Sequence, residues 1–419
     1  MNHIAVIGAG ITGITTAYAL LDRGFSVTVF DRQRYAAMET SFANGGQLSA
    51  SNAEVWNSWP TVFKGLKWLA KRDAPLSLNL RPSWHKYSWL AEFVANIPHY
   101  EANTVATTKL AIQARQRLFD LAGRENIDFD LERRGILHVY RNRSGYDHAA
   151  RVNDLLRQGG LDRRSVTPAE MKAIEPSLYG DYYGGFFTES DSTGDIHRFT
   201  RGLAAACLRR GAKFVYDADV SSIEPAAEGY AVRWAPAHQH GAVAGDAESM
   251  AVDGVVICAG LASRKLAHGL GDRVNIYPVK GYSITVDLQG ESRRAAPWVS
   301  LLDDETKIVS SRLGADRFRV AGTAEFNGEN RDIRADRVKP LIDWTRQLFP
   351  AVDTSKVIPW AGLRPMLPDM LPRVGRGKRP GVFYNTGHGH LGWTLSAATA
   401  ELVAEEVGRA DNAGARHAA

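Results

Sequence analysis

Cysteine is nearly missing from this chain of 419 residues. Only Cys207 and Cys258 occur, so neither a disulfide framework nor a thiolate metal centre can be assembled. Cys207 falls in a helix-like run and Cys258 in the strand-like Val255-Val256-Ile257-Cys258. Both read as small core residues in a reducing compartment. Long hydrophobic runs are absent too: no stretch of 18 apolar residues occurs, which excludes a hydropathy-type membrane span. The first strand-like run begins at residue 4, so no leader peptide is expected before it. The expected location is the cytoplasm, with a peripheral site on the cytoplasmic face of the inner membrane as the open alternative. One-sided charge is also scarce. Lys and Arg number 51 against 46 Asp and Glu, for a net charge of +5. That suits an anionic substrate and is too diffuse for nucleic-acid binding. No internal repeat or low-complexity segment breaks the chain. Its length exceeds one small core, so two domains are expected.

The most informative stretch opens the chain. Ile4 to Ile7 reads as a strand, followed by Gly8-Ala9-Gly10-Ile11-Thr12-Gly13 and a helical run to Gly24, a helix C-cap candidate; Val27 to Asp31 is a second strand. Gly8 permits the tight turn, Gly10 lets a pyrophosphate approach the backbone, and Gly13 lets the helix pack on the sheet. Ala9, Ile11 and Thr12 lie between them, where free N–H groups of a helix start attract phosphate. Asp31 stands 18 residues after Gly13, placed to accept a ribose hydroxyl, with Arg32 beside it. An acid there disfavours a 2′-phosphate, and so NADP. Next, Glu39-Thr40-Ser41-Phe42-Ala43-Asn44-Gly45-Gly46-Gln47 forms a small-residue loop able to hug a ligand. Thr40, Ser41, Asn44 and Gly46 are candidate cofactor contacts, and Gln47 can reach a ring edge.

Residues 56–93 differ in character. They hold Trp56, Trp59, Trp68, Trp84 and Trp89, half of the ten tryptophans, with Lys64, Lys67, Lys71, Arg72, Arg81 and Lys86. Over 62–71 the lysines share one helical face, and Val62, Leu66, Leu69 and Ala70 lie opposite. This pattern suits either a membrane interface or an amphipathic helix packed on its own domain. Further on, helices are expected over 103–125, 145–158, 199–210 and 331–349. Thr167-Pro168-Ala169-Glu170 has the form of a helix start. Strands are expected at 135–140, 213–216, 230–234, 249–253 and 253–260, with more at 277–286, 307–312 and 317–323. A short strand from Val220, and Ala259-Gly260 at the end of the buried strand, offer backbone that can approach a nucleotide. Trp360 to Asp369 reads as a proline-punctuated loop carrying Gly362 and a single arginine, Arg364. Gly387-His388-Gly389-His390-Leu391-Gly392-Trp393-Thr394 then feeds a helix over about 395–407. A glycine-rich loop at a helix N-terminus is a second anion site, suited to the negative charge of a reduced flavin. His388 and His390 lack the acidic or thiol companions of a metal site, and no metal is expected.

These anchors resemble those of the FAD-dependent amine oxidoreductases that include D-amino acid oxidase and glycine oxidase. The nearer likeness is to the bacterial D-amino acid dehydrogenases. It is carried by Gly8 to Gly13, Glu39 to Gln47, Lys280-Gly281-Tyr282-Ser283, Gly362-Leu363-Arg364-Pro365-Met366, and Asn385 to Gly389 with Leu391 to Thr394, and it spans residues 3 to about 410. Met370 and His390 depart from that pattern, at positions flanking the flavin pocket. They leave D-proline or cis-4-hydroxy-D-proline open as substrates.

The resemblance implies an α/β fold, α+β overall: a doubly wound, Rossmann-like FAD-binding domain plus a substrate domain with a mixed or antiparallel sheet. The FAD domain is expected from 1–52, 145–275 and 355–419, and the substrate domain from 53–144 and 276–354. The implied reaction is oxidation of a D-amino acid to an imino acid by hydride transfer to flavin N5, then hydrolysis to a 2-oxo acid. Arg364 is the candidate for the substrate carboxylate. Tyr282 either bonds the same carboxylate or is a core residue, and His388 and His390 bond flavin or substrate. Neither loop carries a cysteine, so the FAD is expected to be non-covalent. The Trp/Lys segment favours a quinone or respiratory chain as electron acceptor. Two alternatives stand beside this reading: a glycine or sarcosine oxidase-type enzyme using oxygen, and a non-catalytic flavin-binding subunit. Oligomeric state is left open.

Overall fold

The computed structural model describes residues 1–68, 75–237 and 248–418, with side chains as far as residue 412. The expected basic helix over 62–71 is a helix at Trp59–Trp68; Leu69, Ala70, Lys71 and Arg72 lie outside the described residues.

Two large sheets organise the chain. The first has six strands in the order Arg373–Arg376, Val382–Thr386, Gly254–Ile257, His3–Ile7, Ser26–Phe30 and Lys213–Val215. All neighbours are parallel except the first pair. Its central strands are continuous apolar runs, as a sheet covered on both faces requires. Ile4, Val6, Val27 and Val29 face one side, against the helices Ile11–Leu21, Ile196–Arg209 and Gly392–Ala418. Ala5, Ile7, Phe30, Val255 and Ile257 face the other. There they meet a three-stranded antiparallel sheet, Ala218–Pro225, Tyr230–Pro236 and Glu248–Val252, through Tyr230, Val232 and Trp234.

The second sheet is mixed and has nine strands. Its edge strand Val357–Met366 pairs with Tyr277–Asp287, followed by Arg317–Phe326, Ile308–Leu313, Ser300–Asp303, Ile136–Tyr140, Gly184–Thr188 and Arg164–Val166. Leu76–Leu78 pairs in parallel with the end of Arg317–Phe326. Helix Ala335–Leu348 packs on one face through Val338, Leu341 and Trp344.

Sheet membership moves the expected boundaries. Residues 145–188, assigned above to the nucleotide domain, supply two strands of the nine-stranded sheet, because Gly184–Thr188 pairs antiparallel with Ile136–Tyr140. Helix Tyr100–Arg124 moves the other way: Leu118 and Ala122 join the core of the six-stranded sheet. The segment from Trp360, read as a loop, is strand as far as Met366, with Pro359 and Pro365 in it. Its edge position explains this, since a missing N–H on the open side breaks no ladder. Gly24 is the left-handed turn residue, φ +84°, two positions beyond the Asp22 C-cap. The Thr167–Glu170 capping box is formed as expected.

Candidate active site

Two cavities lie between the sheets, and they share four wall residues: Thr40, Asn44, Arg364 and His390. Measured out to their mouths they enclose about 1270 and 1680 Å³.

The first cavity opens at the ends of the six-stranded sheet. Gly8, Gly10, Ile11, Thr12, Asp31, Arg32, Thr40, Ser41, Asn44, Val220, Ala259, Gly260, Arg364, Gly387, His388, Gly389, His390, Gly392 and Trp393 all line it. Its glycines do different jobs. A Cβ on Gly13 would stand 1.8 Å from the Gly8 carbonyl oxygen, so Gly13 fixes the helix against the turn. A Cβ on Gly10 would meet only Ser41 Oγ, at 3.5 Å; Gly10 keeps the cavity itself clear. Gly13 and Ala9 lie outside the lining. The Ala9 N–H donates to Asp31 Oδ2 at 2.5 Å, and the Gln33 N–H donates to Oδ1 at 2.7 Å. Asp31 therefore ties the glycine turn to the second strand while still bordering the cavity, and burial raises its pKa. Ser41 Oγ accepts from the Ile11 N–H at 3.0 Å, which bonds the 39–47 loop to the helix start. Arg32 pairs with Glu39 at 2.6 Å, and Glu39 in turn with Arg331 at 2.7 Å. Neither Glu39 nor Arg331 was a sequence candidate, and their separation along the chain hides the pair.

The second cavity rests on the nine-stranded sheet. Gly46, Gln47, Gly362, Leu391 and Thr394, expected at the cofactor, lie along this cavity and not the first. Gln47 donates to Ser300 Oγ at 2.8 Å and to the Leu301 carbonyl at 3.1 Å; both amide hydrogens hold the loop to the sheet. Tyr282 borders the cavity; its hydroxyl donates to Glu325 Oε2 at 2.7 Å and the residue is 1% exposed, which favours the core alternative over the carboxylate contact. Glu325 is also 3.4 Å from the buried Lys280 ammonium.

Arg364 stands where the cavities meet. Gly281 faces Gly362 across the two strands, and a Cβ on Gly281 would fall 2.2 Å from Arg364 Nη2. Only a glycine there lets the guanidinium lie on the sheet. Nη1 donates to the Thr323 carbonyl at 3.0 Å. Among the described residues no carboxylate pairs with Arg364, and desolvation lowers its pKa to about 10. A desolvated, unpaired guanidinium is costly unless an anion meets it.

The two histidines are neutral at pH 7. His388 Nε2 is 3.0 Å from Thr399 Oγ1, and burial lowers its pKa to about 3. His390 stacks on Trp56 with ring centroids 4.8 Å apart. Burial, then the charge of Arg364, lowers its pKa to about 4. Glu54, His148, Asp304 and Lys307 also line the second cavity, none of them legible in the sequence. Lys307 pairs with Asp304; against the effect of burial, that ammonium holds the Asp304 carboxyl down to about 2. Glu54 accepts from the Tyr100 hydroxyl at 2.6 Å.

A nucleotide-sized cleft joined through one unpaired arginine to a sheet-floored chamber is the layout of a two-domain dinucleotide-dependent oxidoreductase. The chain belongs to the DAO family of FAD dependent oxidoreductases, whose pattern it matches over residues 3–406. It is 63% identical over 408 residues to D-amino acid dehydrogenase 3 of Mesorhizobium japonicum, covering 97% of each chain. It is 40% identical to D-amino acid dehydrogenase of Paramagnetospirillum magneticum, covering 96% of this chain and 94% of that one. Among solved structures, glycine oxidase from Geobacillus kaustophilus shares the fold at a TM-score of 0.74 and 20% identity, covering 98% of this chain and 95% of that one. L-proline dehydrogenase from P. horikoshii does so at 0.75 and 15%, covering 97% and 93%.

The family cofactor is FAD, and the first cavity fits it. Its glycine turn is clear of side chains at Gly10. The helix that starts at Ile11 has no side-chain cap from Gly10. Trp393 Nε1 is a buried donor without a partner among the described residues, on the cavity wall.

Proposed function

We propose that the chain is an FAD-dependent D-amino acid dehydrogenase, with the FAD bound non-covalently in the first cavity. Gly8 to Thr12 and the helix start would hold the pyrophosphate, Asp31 the ribose, the backbone near Val220 and Ala259-Gly260 the adenosine side, and the 387–394 loop the flavin ring. The bound flavin supplies a two-electron acceptor for the hydrogen on the substrate Cα. Arg364 carries the reading: an unpaired guanidinium at the cavity junction would fix the substrate carboxylate and so choose which face of Cα is presented. His388 and His390, neutral at pH 7, can accept a hydrogen bond and would not repel a protonated amine. After the substrate ammonium has lost a proton to water, loss of hydride leaves an iminium ion, and a second proton passes to water to give the imine. Water adds to that imine and releases ammonia and a 2-oxo acid, or a cyclic substrate remains as a pyrroline carboxylate.

The charged lining of the second cavity supports a cyclic substrate bearing a hydroxyl, cis-4-hydroxy-D-proline above D-proline. Glu54 and Asp304 oppose an anionic side chain, and Lys307 and Lys64 oppose a cationic one. A hydroxyl can donate to a carboxylate and accept from an ammonium through one atom. An anaerobic flavin-bleaching screen over D-amino acids, both hydroxyproline epimers and N-methyl amino acids tests this. Fastest bleaching by the cis-4-hydroxy-D epimer is the expected result, and bleaching only by glycine or sarcosine would overturn it.

For the electron acceptor we infer a quinone reached at a membrane surface. Helix Trp59–Trp68 buries none of its residues, and Trp59, Phe63 and Leu66 are more than half exposed, at 52, 58 and 60%. Pro60, Thr61, Lys64 and Trp68 of the same helix line the second cavity. Exposed apolar groups among lysines suit an anionic bilayer. Peroxide released in proportion to substrate consumed would sink the quinone reading. Failure to sediment with anionic vesicles would sink the membrane one.

A further inference from the structure

The buried Lys280 ammonium has no part in the proposed function. Lys280 is 1% exposed. Its Nζ donates to Asn330 Oδ1 at 2.7 Å and to the Asp332 carbonyl at 3.1 Å, and lies 3.4 Å from Glu325. Glu325 also accepts the Tyr282 hydroxyl. Burying a lysine is costly unless its partners are fixed in place. Here two of those partners stand on either side of Arg331, in the loop between strand Arg317–Phe326 and helix Ala335–Leu348. The buried cluster therefore clamps the stretch of loop that carries Arg331.

Arg331 reaches from that loop to the other sheet. Its Nη1 donates to Glu39 Oε2 at 2.7 Å. Glu39 Oε1 accepts from Arg32 Nη2 at 2.6 Å and from Gln33 Nε2 at 2.7 Å. Arg32 and Gln33 follow strand Ser26–Phe30 of the six-stranded sheet, whereas Arg331 follows strand Arg317–Phe326 of the nine-stranded one. One carboxylate thus joins walls contributed by both sheets. Arg32, Glu39 and Arg331 all line the first cavity, and their side chains are 41, 32 and 54% exposed, which places them at its edge. A bare carboxylate there would repel an anionic pyrophosphate. Against the effect of burial, the Arg32 and Arg331 guanidiniums hold the Glu39 carboxyl below its ordinary range.

We propose that Arg32, Glu39 and Arg331 form a latch that closes the cofactor cavity beside Asp31 and slows the release of FAD, with Lys280 as the positioning residue that holds the Arg331 loop. This rests on the assignment of FAD to the first cavity. A partly exposed ion pair adds little to folding. A bridge across an exit is different, because it must open each time the ligand leaves, and its strength is then read in the release rate.

The test follows FAD release from the loaded enzyme, as the rise of flavin fluorescence after dilution, beside the Tm of the flavin-free chain. Arg331→Gln and Glu39→Gln are each expected to release FAD about fivefold faster, and the double variant no faster than either, since one bridge is lost only once. The flavin-free Tm is expected to stay within about 2 °C. Asn330→Ala keeps the bridge and loosens its foot, and is expected to speed release about twofold; unchanged release there would remove Lys280 from the latch. Slower release in Glu39→Gln would overturn the latch, because the carboxylate would then only repel the cofactor and Arg331 would attract it directly. Unchanged release in both single variants, while Gly10→Val loses its flavin, would overturn the latch and leave the first cavity as the FAD site. Normal flavin content in Gly10→Val would overturn the site assignment and the latch with it.

Discussion

The two cavities are built by different rules. The first is lined in large part by glycine turns and helix starts near the two ends of the chain, at Gly8, Gly10, Ile11 and Thr12 and from Thr386 to Trp393, with Asp31, the 39–44 loop, Val220 and Ala259-Gly260 completing the wall. The second is made from side chains, with Glu54, Lys64, His148, Asp304, Lys307 and Arg364 brought together from well-separated segments. A backbone site can hold a ligand common to many proteins, because peptide N–H groups are the same everywhere. A side-chain site can discriminate, because each group can be changed alone.

The comparison breaks most readily at Gly10. Gly10→Val would fill the cradle without striking protein backbone, so the chain should fold and purify without flavin; a normal flavin-to-protein absorbance ratio would contradict the cradle. Arg364→Gln should retain full flavin and raise KM about 100-fold, roughly the 3 kcal/mol of a lost charged hydrogen-bond pair. Loss of flavin instead would mean that the arginine serves the first cavity. A third effect is thermal. His388 has its folded pKa lowered to about 3 from an ordinary value near 6.5. Between these values the unfolded chain takes up a proton that the folded one does not, so stability falls as pH falls through that window, by up to about 1.4 kcal/mol per pH unit. Replacing His388 by Asn should flatten the decline of Tm between pH 6 and pH 4 by roughly that slope. An unchanged slope would show that the imidazole is not held neutral. The smallest effect belongs to the discriminating end. Lys307→Met should lower kcat/KM for cis-4-hydroxy-D-proline about five- to tenfold relative to D-proline; equal losses on both substrates would remove the hydroxyl from the argument.

Legibility in the sequence followed the same division. The glycine turn and the 387–393 loop stood out because a glycine pattern feeding a helix start is visible in the chain itself; Asp31 and Ser41 stood out by their place after it, although their bonds run back to Ala9 and Ile11. The interior of the second cavity could not. Glu54 and Lys307 look like surface charges until strand pairing brings Ser300–Asp303 beside Ile136–Tyr140. Tyr282 could be read equally as a carboxylate contact or as a strand core residue. Which side of a strand faces a cavity is set by its partner strands, and here the hydroxyl found Glu325. Arg364 was visible as a lone arginine among prolines, but its segment read as a loop, since the prolines hide an edge strand.

Helix Trp59–Trp68 rims the second cavity without burying a residue of its own. Detaching it from the protein would expose little additional apolar area, so the free-energy gap between its docked and released states is small. Access to the reaction chamber is thereby uncoupled from the stability of the two sheets. A rim held this lightly could move for substrate while the strands carrying Arg364 and Gly281 keep their register.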